Sequence, residues 1–137
     1  ELKSLVKSYD VEEQVIFTGF QKNARDYMAS SDIILLPSIS EGFGIVLAEA
    51  MSVKRPIIAF NVPSPSELLE HEVSGILVPP YDTKMYAEAI RNLLNDPDQR
   101  KKIAHVAHDV LTKEYHLSRM IDKLEVFYLS TQNNSKR

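Results

Sequence analysis

Two glutamates, Glu41 and Glu49, frame the stretch Pro37 to Met51 (PSISEGFGIVLAEAM). The first falls in a turn directly after an apolar run. The second lies inside an otherwise apolar helical segment. Between them, Gly42-Phe43-Gly44 is a backbone that can approach a ligand closely, because two of its three residues lack a Cβ. A carboxylate among Ile45, Val46, Leu47, Ala48, Ala50 and Met51 is expensive to bury without polar partners. Its two oxygens can each accept a hydrogen bond, which suits vicinal hydroxyls. A helix start just after a strand's carboxyl end is a ready anion site. Hydroxyl acceptors beside an anion cradle fit a ligand with hydroxyls and phosphates, such as a nucleotide sugar.

The elements that must position these residues follow from the hydrophobic pattern. Apolar runs alternate with amphipathic stretches, which predicts an α/β fold: a Rossmann-like parallel sheet flanked by helices. Strands are expected at Gln14 to Thr18, Ile33 to Leu36, Pro56 to Phe60 and Gly75 to Val78. Leu2, Leu5 and Val6 suggest the end of a helix. Further helices are expected at Ala24 to Ala29, with Tyr27 and Met28 facing inward, and at Gly44 to Val53. Thr83 to Leu94 reads as a helix with Thr83 as its N-cap, and two more follow at Asp98 to Thr112 and Leu117 to Leu129. Asn61 to Ser66, with Pro63 and Pro65, reads as a stiff loop before a short helical turn at Glu67 to Glu70. Parallel strands with right-handed crossovers bind ligands beyond their carboxyl ends. The loops after Phe17, Leu36 and Phe60 are therefore expected to share one edge.

Length and composition bound the rest. A chain of 137 residues is one domain's worth, long enough for a real core. The absence of cysteine excludes disulfides and thiolate metal sites. A net charge of -3 gives no reason to expect nucleic acid. The apolar runs are too short to span a bilayer. His71, His105, His108 and His116 do not cluster with carboxylates at a ligand spacing, so no metal is expected. Neither G-x-G-x-x-G nor G-x-x-x-x-G-K-[ST] occurs, so dinucleotide and P-loop readings fail. The chain opens in a helical pattern without an initiator Met and reads as a fragment of a longer protein.

The central stretch resembles the E-x7-E signature of the GT-B glycosyltransferases of the large retaining family 4. The matching residues are Pro37-Ser38, Glu41-Gly42-Phe43-Gly44, Glu49-Ala50-Met51 and Pro56-Ile57-Ile58-Ala59. Upstream, Val15-Ile16-Phe17-Thr18-Gly19-Phe20 and Ser31-Asp32-Ile33 fit the same pattern. Downstream, so do Glu67, Ser74-Gly75-Ile76-Leu77-Val78 and Asp82. The resemblance implies the C-terminal, donor-binding half of a GT-B fold, incomplete at its N-terminal side. It divides the chain into a partial donor-binding domain at 1–114, a C-terminal helix at 115–130 and a flexible polar tail at 131–137. That helix either crosses to an N-terminal domain or packs on its own core.

By resemblance, Glu49 binds the ribose of a nucleoside-diphosphate sugar, a UDP- or GDP-sugar for example. Glu41 is the catalytic member, touching the donor sugar near the reacting carbon. Gly42, Phe43, Gly44 and Ile45 offer backbone N–H groups to diphosphate or sugar. Gly19 and Phe20 line the base pocket, with Pro37 and Ser38 beside it and Glu67 behind. The bland alternatives are a solvent-facing Glu49, a loop carboxylate at Glu41, an ordinary turn glycine at Gly19 and a helix-capping Glu67. No cofactor is implied. The full enzyme would act without metal on an acceptor (glycan, lipid or small molecule) held by an N-terminal domain. It would be cytoplasmic or peripheral at the inner face of a membrane, with membrane contact only through the missing part. The isolated fragment would be inactive. The rival is a nucleotide-sugar-binding module or pseudo-enzyme that does no chemistry. The chain departs from the family at Lys54, where glycine is usual, and at Pro63-Ser64, where Gly-Gly is usual. The basic pair that grips the diphosphate would lie before Glu1.

Overall fold

A computed structural model describes residues 1–40, 42 and 44–134, without the side chains of 132–134. Its elements are α1 (Leu2–Ser8), a 3-10 turn at Glu12–Gln14, α2 (Ala24–Ser30), β1 (Ile34–Leu36) and α3 (Ile45–Ser52). These are followed by β2 (Ile57–Phe60), α4 (Pro63–Leu68), β3 (Ile76–Val78), α5 (Thr83–Asn95), α6 (Pro97–Glu114) and α7 (Leu117–Asn134). The three strands form one parallel sheet in the order β1-β2-β3. Ile34 pairs with Ile57 and Leu36 with Ala59. Ile58 pairs with Ile76 and Phe60 with Val78. The fold is α/β, with helices on a parallel sheet.

The central strand explains the layering. All four β2 residues are buried, as expected of a strand covered on both faces. Alternate residues point to opposite faces. Ile57 and Ala59 join Leu47, Ala50 and Met51 of α3, Leu68 and Leu69, and Ala107 of α6. Ile58 and Phe60 join Val78, Tyr86 and Leu93 of α5, and Ile103 of α6. Helix α6 thus supplies residues to both clusters and ties the layers together. His108 adds a link, its Nδ1 lying 3.2 Å from the Met51 carbonyl at the end of α3. On the α5 side, Tyr86 donates its hydroxyl to the Ile58 carbonyl at 2.7 Å. Its ring meets Phe60 edge to face, centroids 5.2 Å apart.

Several expectations need correction. Gln14 to Thr18 is not a strand. Val15 has extended dihedrals, but nothing among the described residues pairs with the segment, and a strand without a ladder partner leaves its backbone groups to water. Ile16 and Phe20 are 85% and 89% exposed. Tyr27 faces solvent, and only Met28 of that pair is partly buried. The stiff loop at 61–66 is largely helix: Pro63 is the first residue of α4, a position where proline's missing N–H and fixed φ cost nothing. Asp82, not Thr83, caps α5, its carboxylate accepting from the Met85 amide at 2.9 Å. Helix α7 runs past 130 to Asn134, so the expected tail begins in helix, and 135–137 lie outside the described residues. Every residue from 112 to 131 is exposed, so α7 does not pack on the core.

Candidate functional site

Proline 37 stops β1, since it has no N–H to continue a ladder. It is exposed, and Ser38 beside it is partly buried. Seven residues after Pro37, Gly44 starts α3 in the left-handed region, with φ of 73°. Its carbonyl takes the first helical hydrogen bonds, from the Leu47 amide at 2.8 Å and the Ala48 amide at 3.3 Å. No side chain caps this helix start among the described residues. Ile45 and Val46, whose amides precede the first intrahelical donor, stand exposed on the outer side of α3.

Glu49 lies on that outer side too, four residues from Ile45 and three from Val46, a spacing that places them together on one helical face. Leu47, Ala50 and Met51 take the inner face and are completely buried. Glu49 is therefore exposed, and the expectation of a carboxylate sunk among apolar neighbours is corrected. The apolar residues that suggested burial are partly on the far side of the helix. No hydrogen bond or ion pair holds the Glu49 carboxylate among the described residues; its backbone carbonyl accepts from the Ser52 hydroxyl and the Val53 amide. A helix rise of 1.5 Å per residue puts its Cα about 6 Å along the axis from that of Ile45. Uncapped N–H donors and an unpartnered carboxylate thus share one helix face at the carboxyl-terminal edge of the sheet. That arrangement can hold an anionic group and a pair of hydroxyls at once.

The remaining candidates divide. Glu41 and Phe43 lie outside the described residues. Gly42 is exposed, and a Cβ there would meet nothing within 4 Å. Gly19 also has positive φ, 62°, and open space around it. Gly19 and Phe20 follow an unpaired segment, so the sheet does not carry the loop after Phe17 to the shared edge; the loops after Leu36 and Phe60 do lie there. Glu67 is exposed in the last turn of α4 and caps no helix among the described residues. A hollow of about 520 Å³ runs along α2 beside Asp26, Tyr27 and Ser30, away from these residues.

Ser64, one of the two residues at which the chain departs from the family's Gly-Gly, lies against the start of α3. It is 7% exposed, and its hydroxyl has no hydrogen-bond partner among the described residues. It abuts Gly44, where a Cβ would come 2.8 Å from its Oγ.

Comparison with known proteins adds to this geometry. The family described as glycosyl transferases group 1 matches residues 1–109. An α-D-kanosaminyltransferase of Streptomyces kanamyceticus is 32% identical over 93% of this chain and 34% of its own length. An N-acetyl-α-D-glucosaminyl L-malate synthase of Bacillus anthracis is 30% identical over 96% of this chain and 35% of its own. The chain thus spans about a third of the length of these relatives. Among solved structures, Anabaena HepE in complex with UDP superposes with a TM-score of 0.86 at 27% identity, over 95% of this chain and 36% of that one. The C-terminal domain of a glycosyl transferase group 1 protein from Francisella tularensis gives 0.77 at 30% identity, over 85% of this chain and 61% of that one.

Proposed function

This chain belongs to the group 1 glycosyl transferases, and from that premise we propose that it is the donor-binding part of a glycosyltransferase. The whole enzyme transfers a sugar from a nucleoside-diphosphate sugar to an acceptor hydroxyl, with retention at the anomeric carbon, as members of family 4. The observation that carries this reading is the exposed Glu49 carboxylate, without a partner among the described residues, one helical turn from the start of α3, which none of their side chains caps. Its support is the likeness, over 95% of the chain, to HepE bound to UDP and to UDP-glucose.

In this reading Glu49 accepts hydrogen bonds from two ribose hydroxyls. The amides of Gly42, Phe43, Gly44 and Ile45 face the diphosphate and sugar. Glu41 engages the sugar beside the carbon that reacts, and Gly19, Phe20, Pro37, Ser38 and Glu67 surround the nucleoside. The bond from anomeric carbon to diphosphate oxygen breaks as the acceptor oxygen bonds to that carbon, and the acceptor hydroxyl's proton passes to the leaving diphosphate. Charge then grows on the leaving diphosphate, where N–H groups at a helix start stabilise it without reorganising. That is why no metal or cofactor is invoked. The acceptor is held by an N-terminal domain, and this chain alone transfers no sugar. The enzyme works in the cytoplasm, with any contact to the inner membrane face made outside this chain. No helix among the described residues is long and apolar enough to cross a membrane.

Calorimetric titration with UDP and with GDP tests the proposal. Saturable binding of one of them is expected, and Glu49→Gln should weaken it about 10- to 150-fold, the loss of one hydrogen bond to a charged group. Failure of both nucleotides to bind the parent chain would remove the donor-site reading.

A further inference from the structure

At the opposite end of the strands from Pro37, a cavity of about 200 Å³ opens between the residues that precede β1 and β2 and the start of α6. Lys54, Arg55, Arg100 and Lys101 line it, with one carboxylate, Asp32. In a chain of net charge -3, four cations around one small cavity are a local reversal of sign. None of the four forms an ion pair among the described residues. The hollow is smaller than cavities that take drug-sized ligands and suits a compact group.

Local structure works against placing cations here. Helix α3 ends with Lys54 donating to the Met51 carbonyl and Arg55 to that of Ala50, the double hydrogen bond of a Schellman end. Lys54 occupies the left-handed position of that motif, with φ of 54°, which glycine takes freely and lysine takes only against steric resistance. Arg100 and Lys101 fall within the first five residues of α6, whose positive amino end is already capped by the Asp96 carboxylate, which accepts from the Gln99 amide at 2.8 Å. Arg55 is partly buried; it donates to the Ala29 carbonyl, but its Nε is buried with no hydrogen-bond partner among the described residues. Arg100 is spent in part on the Leu93 and Leu94 carbonyls at the end of α5. The two lysines have no such structural duty, and an anion in the cavity would answer both ammonium groups together beside the two guanidinium groups that line it.

We infer that this cavity is a binding site for a phosphate-bearing anion, whether a soluble phosphoester or a phospholipid headgroup. The inference is independent of the donor site, which lies at the other end of the sheet.

The test follows amide resonances as sodium phosphate replaces sodium chloride at constant ionic strength. Saturable shifts at Lys54, Arg55 and Lys101 are expected. Lys54→Gly and Lys101→Gln should each weaken binding about fivefold, and the double variant about 25-fold. Lys54→Gly should also melt no lower than the parent, because glycine relieves the left-handed backbone, so weaker binding cannot be blamed on a lost fold. Co-sedimentation with phosphatidylcholine vesicles, with and without phosphatidic acid, separates the sources. Pelleting that needs phosphatidic acid and both lysines identifies a headgroup, and phosphate shifts without pelleting identify a soluble phosphoester. No saturable phosphate shift in the cavity, or shifts and pelleting indifferent to both lysines, would overturn the inference.

Discussion

A Cβ built on Gly44 would stand 2.8 Å from the Ser64 hydroxyl oxygen, with Leu47 and Leu68 closing in at 3.1 and 3.2 Å. The start of α3 is therefore fixed twice, by a left-handed backbone and by contact with α4. Gly44→Ala should destabilise the fold by about 2–4 kcal/mol, combining the left-handed penalty with overpacking. Ser64→Gly makes room for the new methyl group. In a denaturant-unfolding cycle the double variant should recover part of the loss, giving a coupling of about 0.5–2 kcal/mol. Strict additivity would mean that the two residues do not constrain each other.

Burial of Tyr86 pushes its pKa up to about 12, opposed by the Leu36 backbone. The folded state thus holds the phenol proton more tightly than the unfolded chain, whose tyrosine titrates near 10. The corresponding stability, about 2–3 kcal/mol, is fully present below pH 10 and is lost as pH rises through 12. Unfolding at constant urea between pH 8 and 12 should reveal this fall. Tyr86→Phe should abolish it while costing about 1 kcal/mol at pH 8, through the lost hydrogen bond to Ile58. A Tyr86→Phe profile that falls like the parent's would assign the alkaline loss to other groups.

What the sequence made legible follows the physics of each element. The strand at β2 could be read because Pro56-Ile57-Ile58-Ala59-Phe60 is a continuous apolar run, and burial on both faces demands one. Gly44 could be read because a turn into a helix start needs a residue free of a Cβ. The segment Gln14 to Thr18 carries the same apolar signal as a strand, but pairing is a property of a neighbour, which composition cannot supply. The prolines at 63 and 65 looked like loop residues because their place in a helix depends on whether they fall in its first turn. Glu49 looked buried because its neighbours are apolar; three of them turn inward while it does not. The cation-lined cavity joins charged residues as far apart as Asp32 and Lys101, and no local pattern announces it.

Helix α7 leaves Met120, Ile121, Leu124, Phe127 and Tyr128 exposed as an apolar stripe. Its ties to α6 are surface contacts at the junction, notably Arg119 with Glu114 at 2.9 Å. A chain ending at Tyr115 should therefore lose less than about 1 kcal/mol of stability, the range of exposed ion pairs. Sedimentation velocity should show the parent associating at concentrations where the shortened chain stays monomeric. Cooperative loss of the core on truncation would show that α7 packs where the structure leaves it bare.

The two motif glutamates should separate binding from turnover. Glu49 sits on the helix face that carries the uncapped amides of α3, so its partner in the proposed site belongs to the nucleotide. Glu41 precedes that helix, and its proposed partner is the sugar. Free nucleoside diphosphate, which has no sugar to offer, should then bind Glu41→Gln nearly as it binds the parent and Glu49→Gln about 10- to 150-fold more weakly. In the whole enzyme, Glu41→Gln should lower kcat more than it raises KM, since an interaction made chiefly at the reacting centre contributes to the transition state. Glu49→Gln should act mainly on KM. Calorimetry with the free nucleotide and steady-state kinetics with the donor read the two arms separately. Equal nucleotide affinity for both variants and the parent would sink the division of roles, and with it the assignment of the α3 face to the ribose.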